Sequence, residues 1–262
     1  MELPAGMREV EVTSTLDGSQ EKCLVYRPAG SSRAPLLVGL HTWSADRFSQ
    51  VEAMLPRCRQ RRWALILPEF RGPNLTTNPR ARQAGGSPLA RQDIVDALDW
   101  AVTHEGVDEA HVFLLGGSGG GHMALLMAAH APHRFTGISA WVPITDLAAW
   151  HGQNPRYAPH VEAVCGGPPG AGPQVDREYR QRSPVAHLEA MRAATLSVHH
   201  GRRDPSVPYT HTWRLAQGME AAGAERFYCE VFDGGHEIGY DRAFAWFEAL
   251  AGKAAEGDGL TG

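Results

Sequence analysis

An α/β fold, a mostly parallel twisted sheet with helices on both faces and an antiparallel hairpin at the amino terminus, is predicted by three observations in the sequence. Short apolar runs recur along the chain and suit strands buried on both faces. Segments with helical apolar spacing separate most of them, the alternation that gives a parallel sheet. Only the start of the chain departs from this, with period-two alternation on either side of a turn signal.

The hairpin is read from residues 10–15 and 22–26, which flank Asp17-Gly18-Ser19. Buried strands follow at residues 36–40, 63–67, 112–115, 135–142 and 194–198, with a further strand at 226–232. A helix opens at Ser87-Pro88, where serine caps and proline supplies the φ of a first turn. It then carries Ile94, Leu98, Ala101 and Val102 on one stripe. A last helix repeats Tyr240, Phe244, Phe247 and Leu250 at core spacing. Two long connections, 71–86 and 146–182, are rich in glycine, proline and polar residues, and loops of such length usually carry function or mobility. From Ala254 the sequence reads as a frayed polar tail.

A length of 262 residues suits a single α/β domain over the whole chain, with residues 146–185 as a lid-like insertion. Hydrophobic content of 43%, charged content of 21% and a net charge of -4 are ordinary for a soluble protein and give no support for nucleic-acid binding. No apolar stretch approaches the roughly 20 residues that span a bilayer, and the first residues lack a signal-like pattern, so a cytoplasmic protein is expected. Cys23, Cys58, Cys165 and Cys229 have neither metal-type nor redox-type spacing and are expected as buried thiols.

The run Val112 to Leu115, then Gly116-Gly117-Ser118-Gly119-Gly120, then a helical segment from His122, has the strand, Gly-x-Ser-x-Gly, helix context of a nucleophile elbow. The small residues around Ser118 let strand and helix approach without collision. A serine hydroxyl needs a base, and the base needs an acid to hold its tautomer. Asp204 follows the strand at 194–198, and His236 follows the strand at 226–232 in Asp233-Gly234-Gly235-His236. Asp146, after the strand at 135–142, is the rival acid. His199, His200, His130 and His133 sit at element ends, and no His-Glu-x-x-His or Cys-x-x-Cys spacing occurs, so neither metal nor cofactor is expected.

The chain order Ser118, Asp204, His236, on three separate loops, resembles the α/β-hydrolase superfamily. The wider wording resembles its prolyl oligopeptidase branch: Pro68-Glu69-Phe70-Arg71-Gly72, the segment from Asp93 to Trp100, Ser183-Pro184, and the segment from His200 to Pro208. The resemblance implies an α/β-hydrolase fold and acyl transfer. The backbone N–H of Gly119 is then one oxyanion donor. Relatives carry His-Gly-Gly after the first core strand, where this chain has His41-Thr42-Trp43; Thr42 or Trp43 offers the second donor, and Trp43 is preferred. Its indole would also wall the substrate pocket, with Trp150, His151 and Tyr157 of the lid-like segment.

Peptidases of this branch carry a propeller that admits short peptides. About thirty-five residues precede the first core strand here, against roughly 40 per propeller blade. The expectation is therefore a carboxylesterase acting on small short-chain or carbohydrate-linked esters, without nucleic-acid or membrane partners. A prolyl oligopeptidase-type peptidase acting on short peptides is the alternative, and a non-catalytic binding module of the same fold is the alternative from another class.

Overall fold

The computed structural model describes residues 3–30 and 33–257. The chain begins with β1 (Met7–Thr13), β2 (Gln20–Tyr26), β3 (Ala34–Leu40), α1 (Val51–Arg61), β4 (Ala64–Pro68), α2 (Pro88–Glu105), β5 (Val107–Gly117) and α3 (Gly119–His130). It continues through β6 (Gly137–Trp141), α4 (Leu147–Gln153), α5 (Ala158–Cys165), α6 (Pro173–Gln181), α7 (Leu188–Met191), β7 (Leu196–Gly201), α8 (Thr210–Ala221), β8 (Phe227–Phe232) and α9 (Tyr240–Gly257). The strands form one sheet in the order β1-β2-β4-β3-β5-β6-β7-β8. Pairing is antiparallel for β1 with β2 and β2 with β4, and parallel from β4 to β8.

The apolar runs read as strands are buried on both faces because helices cover both. On one face Leu36, Val38 and Leu114 pack with Ile94, Leu98, Met123 and Leu215 from α2, α3 and α8. On the other, Leu37, Phe113 and Leu115 meet Met54 and Leu55 of α1 and Phe244 and Phe247 of α9. Period-two alternation along β3 and β5 thus feeds two separate cores. The Ser87 hydroxyl accepts from the Ala90 N–H at 3.0 Å, so α2 starts where the sequence places its cap.

The hairpin begins at Met7, earlier than the alternation suggests, and β5 begins at Val107, with a register shift between Ala34 and Leu36. The polar start of β5 obscures its pairing with the beginning of β3. The tail expected from Ala254 is helical as far as Gly257, and its remainder lies outside the described residues. Cys23, Cys58 and Cys165 are buried thiols, whereas Cys229 is half-buried on the sheet's edge strand. Among the described residues, no helix is long and apolar enough to cross a membrane, and no cluster of potential metal ligands forms.

The two long connections are ordered against each other. Arg71, with 1% of its surface exposed, bonds Asp93 of α2 (2.5 and 3.0 Å), Asp17 of the hairpin turn (2.8 Å) and the Ser14 hydroxyl (3.0 Å). Breaking a buried ion pair leaves its partner uncompensated, so this network holds the 71–86 connection in one geometry. The 146–185 segment contains α4, α5 and α6, which share a core of Leu147, Trp150, Val161, Val164, Cys165 and Tyr179. Arg182 donates to the carbonyls of Ala84 (2.6 Å) and Arg82 (2.9 Å), and the Thr76 N–H donates to His160 Nδ1 (3.0 Å). The lid-like segment is therefore anchored on the 71–86 connection beside the carboxyl ends of the parallel strands.

Candidate active site

Ser118 stands between β5 and α3 at φ 55° and ψ -118°, a region costly for a residue with a Cβ. Its neighbours show what keeps it there. A Cβ on Gly116 would strike the carbonyl of Gly120, and one on Gly120 would meet the carbonyls of Leu40 and His41. The Ser118 N–H donates to the Trp141 carbonyl (2.8 Å) and its own carbonyl accepts from His122 (2.9 Å), so the turn is fixed on both sides. The side chain remains half-exposed at the carboxyl edge of the sheet.

The loops after β7 and β8 meet at this edge. His236 Nδ1 lies 2.7 Å from Asp204 Oδ2. A carboxylate only accepts, so Nδ1 carries the proton and Nε2 is left free to take one. Asp204 Oδ1 accepts from the N–H groups of Ser206 (2.8 Å) and Val207 (2.9 Å). Burial works against charge on this carboxyl, but hydrogen bonds from His200, His236 and the Val207 N–H outweigh it and hold it well below the usual carboxylate range. Asp204 thus stays ionised with no side-chain exposure, beside a His236 ring that is 26% exposed.

Backbone contacts lock the two loops together. Arg202 and Arg203 donate through their N–H groups to the carbonyls of Phe232 (2.9 Å) and Gly234 (2.8 Å). A Cβ on Gly201 would strike the Gly235 carbonyl, and one on Gly117 would strike Ile238, two residues beyond His236. The histidine loop therefore lies against the strand that delivers Ser118. Asp146 is placed otherwise: it caps α4 by accepting from the Ala149 N–H at 3.0 Å, and the acid bonded to His236 is Asp204.

The side expected to hold the oxyanion is equally close-packed. A Cβ on Gly119 would collide with the backbone nitrogen and Cα of Trp43, so the two candidate donors are neighbours. The Trp43 carbonyl accepts from the Asn74 N–H (2.9 Å). The Thr42 carbonyl faces His41 Nδ1 (2.8 Å), whose other nitrogen faces the Glu69 carbonyl (2.8 Å), and the ring stacks on Phe70 at 3.9 Å. Gly119→Ala is expected to lower kcat by about 10²–10³-fold, the cost of a disturbed oxyanion donor, and to lower the melting temperature as well, because its Cβ must displace the Trp43 backbone. Steady-state kinetics beside a thermal melt would check this.

The four residues expected to line the substrate pocket fare differently. Trp43 and Trp150 are 2% and 1% exposed and meet edge to face at 5.0 Å. They lie in the core of the lid-like segment and present almost no surface to a ligand. Burial of that core requires large rings at these positions, which is why an open aromatic cleft and a packed lid look alike in sequence. The Trp150 indole donates to the Ser206 carbonyl at 2.9 Å, tying the lid-like segment to the loop of Asp204, whereas the buried Trp43 indole N–H has no partner among the described residues. His151 bonds Glu162 (2.8 Å) and Tyr157 stacks on Trp150 at 4.9 Å; both are half-buried.

His200, read from sequence only as a strand-end residue, contacts Asp204 directly, with Nε2 3.2 Å from Oδ2. Its position four residues before the acid, in His-Gly-x-x-Asp, was the available signal. His122, one turn after Ser118, is buried, which lowers its pKa to about 4, and it bonds the Arg182 carbonyl at 2.6 Å.

The family model of the prolyl oligopeptidase family matches residues 84–252, a span that holds Ser118, Asp204 and His236. The acylamino-acid-releasing enzyme of Arabidopsis thaliana is 25% identical over 206 residues, covering 71% of this chain and 25% of the plant protein. Acylamino-acid-releasing enzyme 2 of Oryza sativa subsp. japonica is 26% identical over 238 residues, covering 85% and 30%. Among solved structures, a puromycin-hydrolyzing peptidase of Mycobacterium tuberculosis superposes with a TM-score of 0.72 at 22% identity, over 95% of this chain and 40% of its own. An acylaminoacyl peptidase in complex with Z-Gly-Gly-Phe-chloromethyl ketone superposes with a TM-score of 0.73 at 17% identity, over 94% and 41%. The structural likenesses show the fold alone, and this chain spans about a quarter to two-fifths of the length of these relatives.

Proposed function

The chain belongs to the prolyl oligopeptidase family and has the α/β-hydrolase fold, and from that premise we propose that it is a serine peptidase cleaving short peptide or acylaminoacyl amides through an acyl-enzyme on Ser118. The observation that carries this reading is the 2.7 Å bond from His236 to a buried, ionised Asp204, on loops packed against the strained turn that holds Ser118.

His236 Nε2 takes the hydroxyl proton as Ser118 Oγ attacks the scissile carbonyl. The N–H groups of Gly119 and Trp43 receive the charge that develops on the carbonyl oxygen. His236 then returns its proton to the leaving amine, the C–N bond breaks, and water repeats the cycle on the acyl-enzyme. Asp204 holds the tautomer and balances the imidazolium.

The esterase expectation rested on the short stretch ahead of β3. The matching family and the curated relatives favour the amide reading, so the peptidase alternative replaces it. Protonation of an amine leaving group by a positioned acid is worth about 10²–10⁴-fold, and a p-nitrophenolate needs no such help. The test compares kcat/KM for N-acetylalanyl p-nitroanilide and for the p-nitrophenyl ester of the same acyl group. We expect the amide within about tenfold of the ester; an amide value lower by about 10⁴-fold or more would return the protein to the esterases.

A further inference from the structure

We propose that His200 is a positioning residue that acts through the acid: oriented by Thr212, its Nε2–H takes part of the charge on the Asp204 oxygen that His236 uses. The inference rests on Asp204 and His236 acting as the acid and base proposed above.

The geometry assigns the protons on His200. Nε2 faces two groups that only accept, the Val207 carbonyl at 2.8 Å and Asp204 Oδ2 at 3.2 Å, so it carries the hydrogen. Nδ1 lies 2.7 Å from the Thr212 hydroxyl, which donates to it. Both side chains are fully buried, Thr212 near the start of α8 and His200 within β7. Thr212 on α8 is thus hydrogen-bonded to His200 on β7, whose Nε2 lies 3.2 Å from Asp204 Oδ2, and Asp204 in turn is hydrogen-bonded to His236 on the neighbouring loop.

The two oxygens of Asp204 are held by different means. Oδ1 takes two N–H groups of its own loop, which fix the carboxylate's place. Oδ2 takes the hydrogen bond of His236 and has beside it, at 3.2 Å, the Nε2 of a buried ring whose N–H it shares with the Val207 carbonyl. A donor on the same oxygen withdraws negative charge from the bond to His236, so His200 moderates how strongly Asp204 favours the imidazolium. Among the groups facing Asp204, His200 supplies a hydrogen bond that favours the ionised carboxyl, alongside those from His236 and the Val207 N–H.

The base must be neutral to accept the Ser118 proton, so kcat/KM falls on the acidic side of its profile, the acidic limb. With His200 removed, Oδ2 has one donor fewer and attracts the His236 proton more strongly, which moves that limb to higher pH. A His200 whose role is only to fill space would have no such effect, and an Asp204 that swings away from His236 would move the limb to lower pH.

The experiment measures pH profiles of kcat and kcat/KM for wild type, His200→Leu, His200→Gln, Thr212→Val and Asp204→Asn in the full chain, each with a thermal melt. We expect His200→Leu to lose about 10–100-fold in kcat, with KM within about twofold and the acidic limb shifted upward. His200→Gln places an amide N–H near Nε2 and is expected to restore most of kcat and the wild-type limb. Thr212→Val is expected to fall between them. An acidic limb in His200→Leu that stays in place or moves down, or a His200→Gln no better than the leucine variant, overturns the proposal while an inactive Asp204→Asn leaves the proposed acid and base standing. Activity retained in Asp204→Asn overturns both.

Discussion

Ser118→Ala is expected to lose roughly 10⁴-fold or more in kcat while folding as stably as wild type. Alanine keeps the Cβ, so the backbone cost of φ 55° is unchanged, and the contacts that force the turn belong to Gly116, Gly119 and Gly120 rather than to the hydroxyl. What disappears is the nucleophile. Residual turnover would come from the oxyanion donors and substrate binding acting on water. Because nucleophile and base act as a unit, the double variant Ser118→Ala with His236→Ala is expected to be scarcely slower than either single one. Burst and steady-state kinetics on a p-nitroanilide check this, and retention of a substantial share of wild-type kcat would assign the nucleophile elsewhere.

Asp204→Asn is expected to cost about 10⁴-fold in kcat with little change in KM. The asparagine amide can turn an N–H toward His236, leaving Nδ1 as acceptor and putting the proton on Nε2, where it faces Ser118 and cannot serve as a base. Asp146→Asn is the matched control. Asparagine caps a helix as well as aspartate, so α4 should hold and activity should stay within about twofold. Collapse of Asp146→Asn beside an active Asp204→Asn would exchange their roles.

Much of this site was legible because its chemistry is local in sequence. A serine among glycines between an apolar run and a helix, and an acid and a histidine each just past a strand, need only the strand order to bring them to one edge. The hairpin and α2 were legible for similar reasons, from alternation about Asp17-Gly18 and from the Ser87-Pro88 start. The helical content of the lid-like segment was not. Its helices run only 7, 8 and 9 residues, too short to hold by themselves or to print a clear stripe, and tertiary packing around Trp150 and Tyr179 stabilises them. The same packing withdraws Trp43 and Trp150 from any ligand. His200 escaped notice because a histidine in a buried strand resembles an ordinary core residue until its partner across the turn is known.

Every step proposed for this chain requires that Ser118 be acylated. A fluorophosphonate probe with the wild-type chain, followed by peptide mapping, reads that out: one adduct per chain on Ser118, in step with loss of amide hydrolysis, and none in Ser118→Ala or above background in His236→Ala. An adduct on another residue, or undiminished hydrolysis in a chain fully labelled at Ser118, would contradict it.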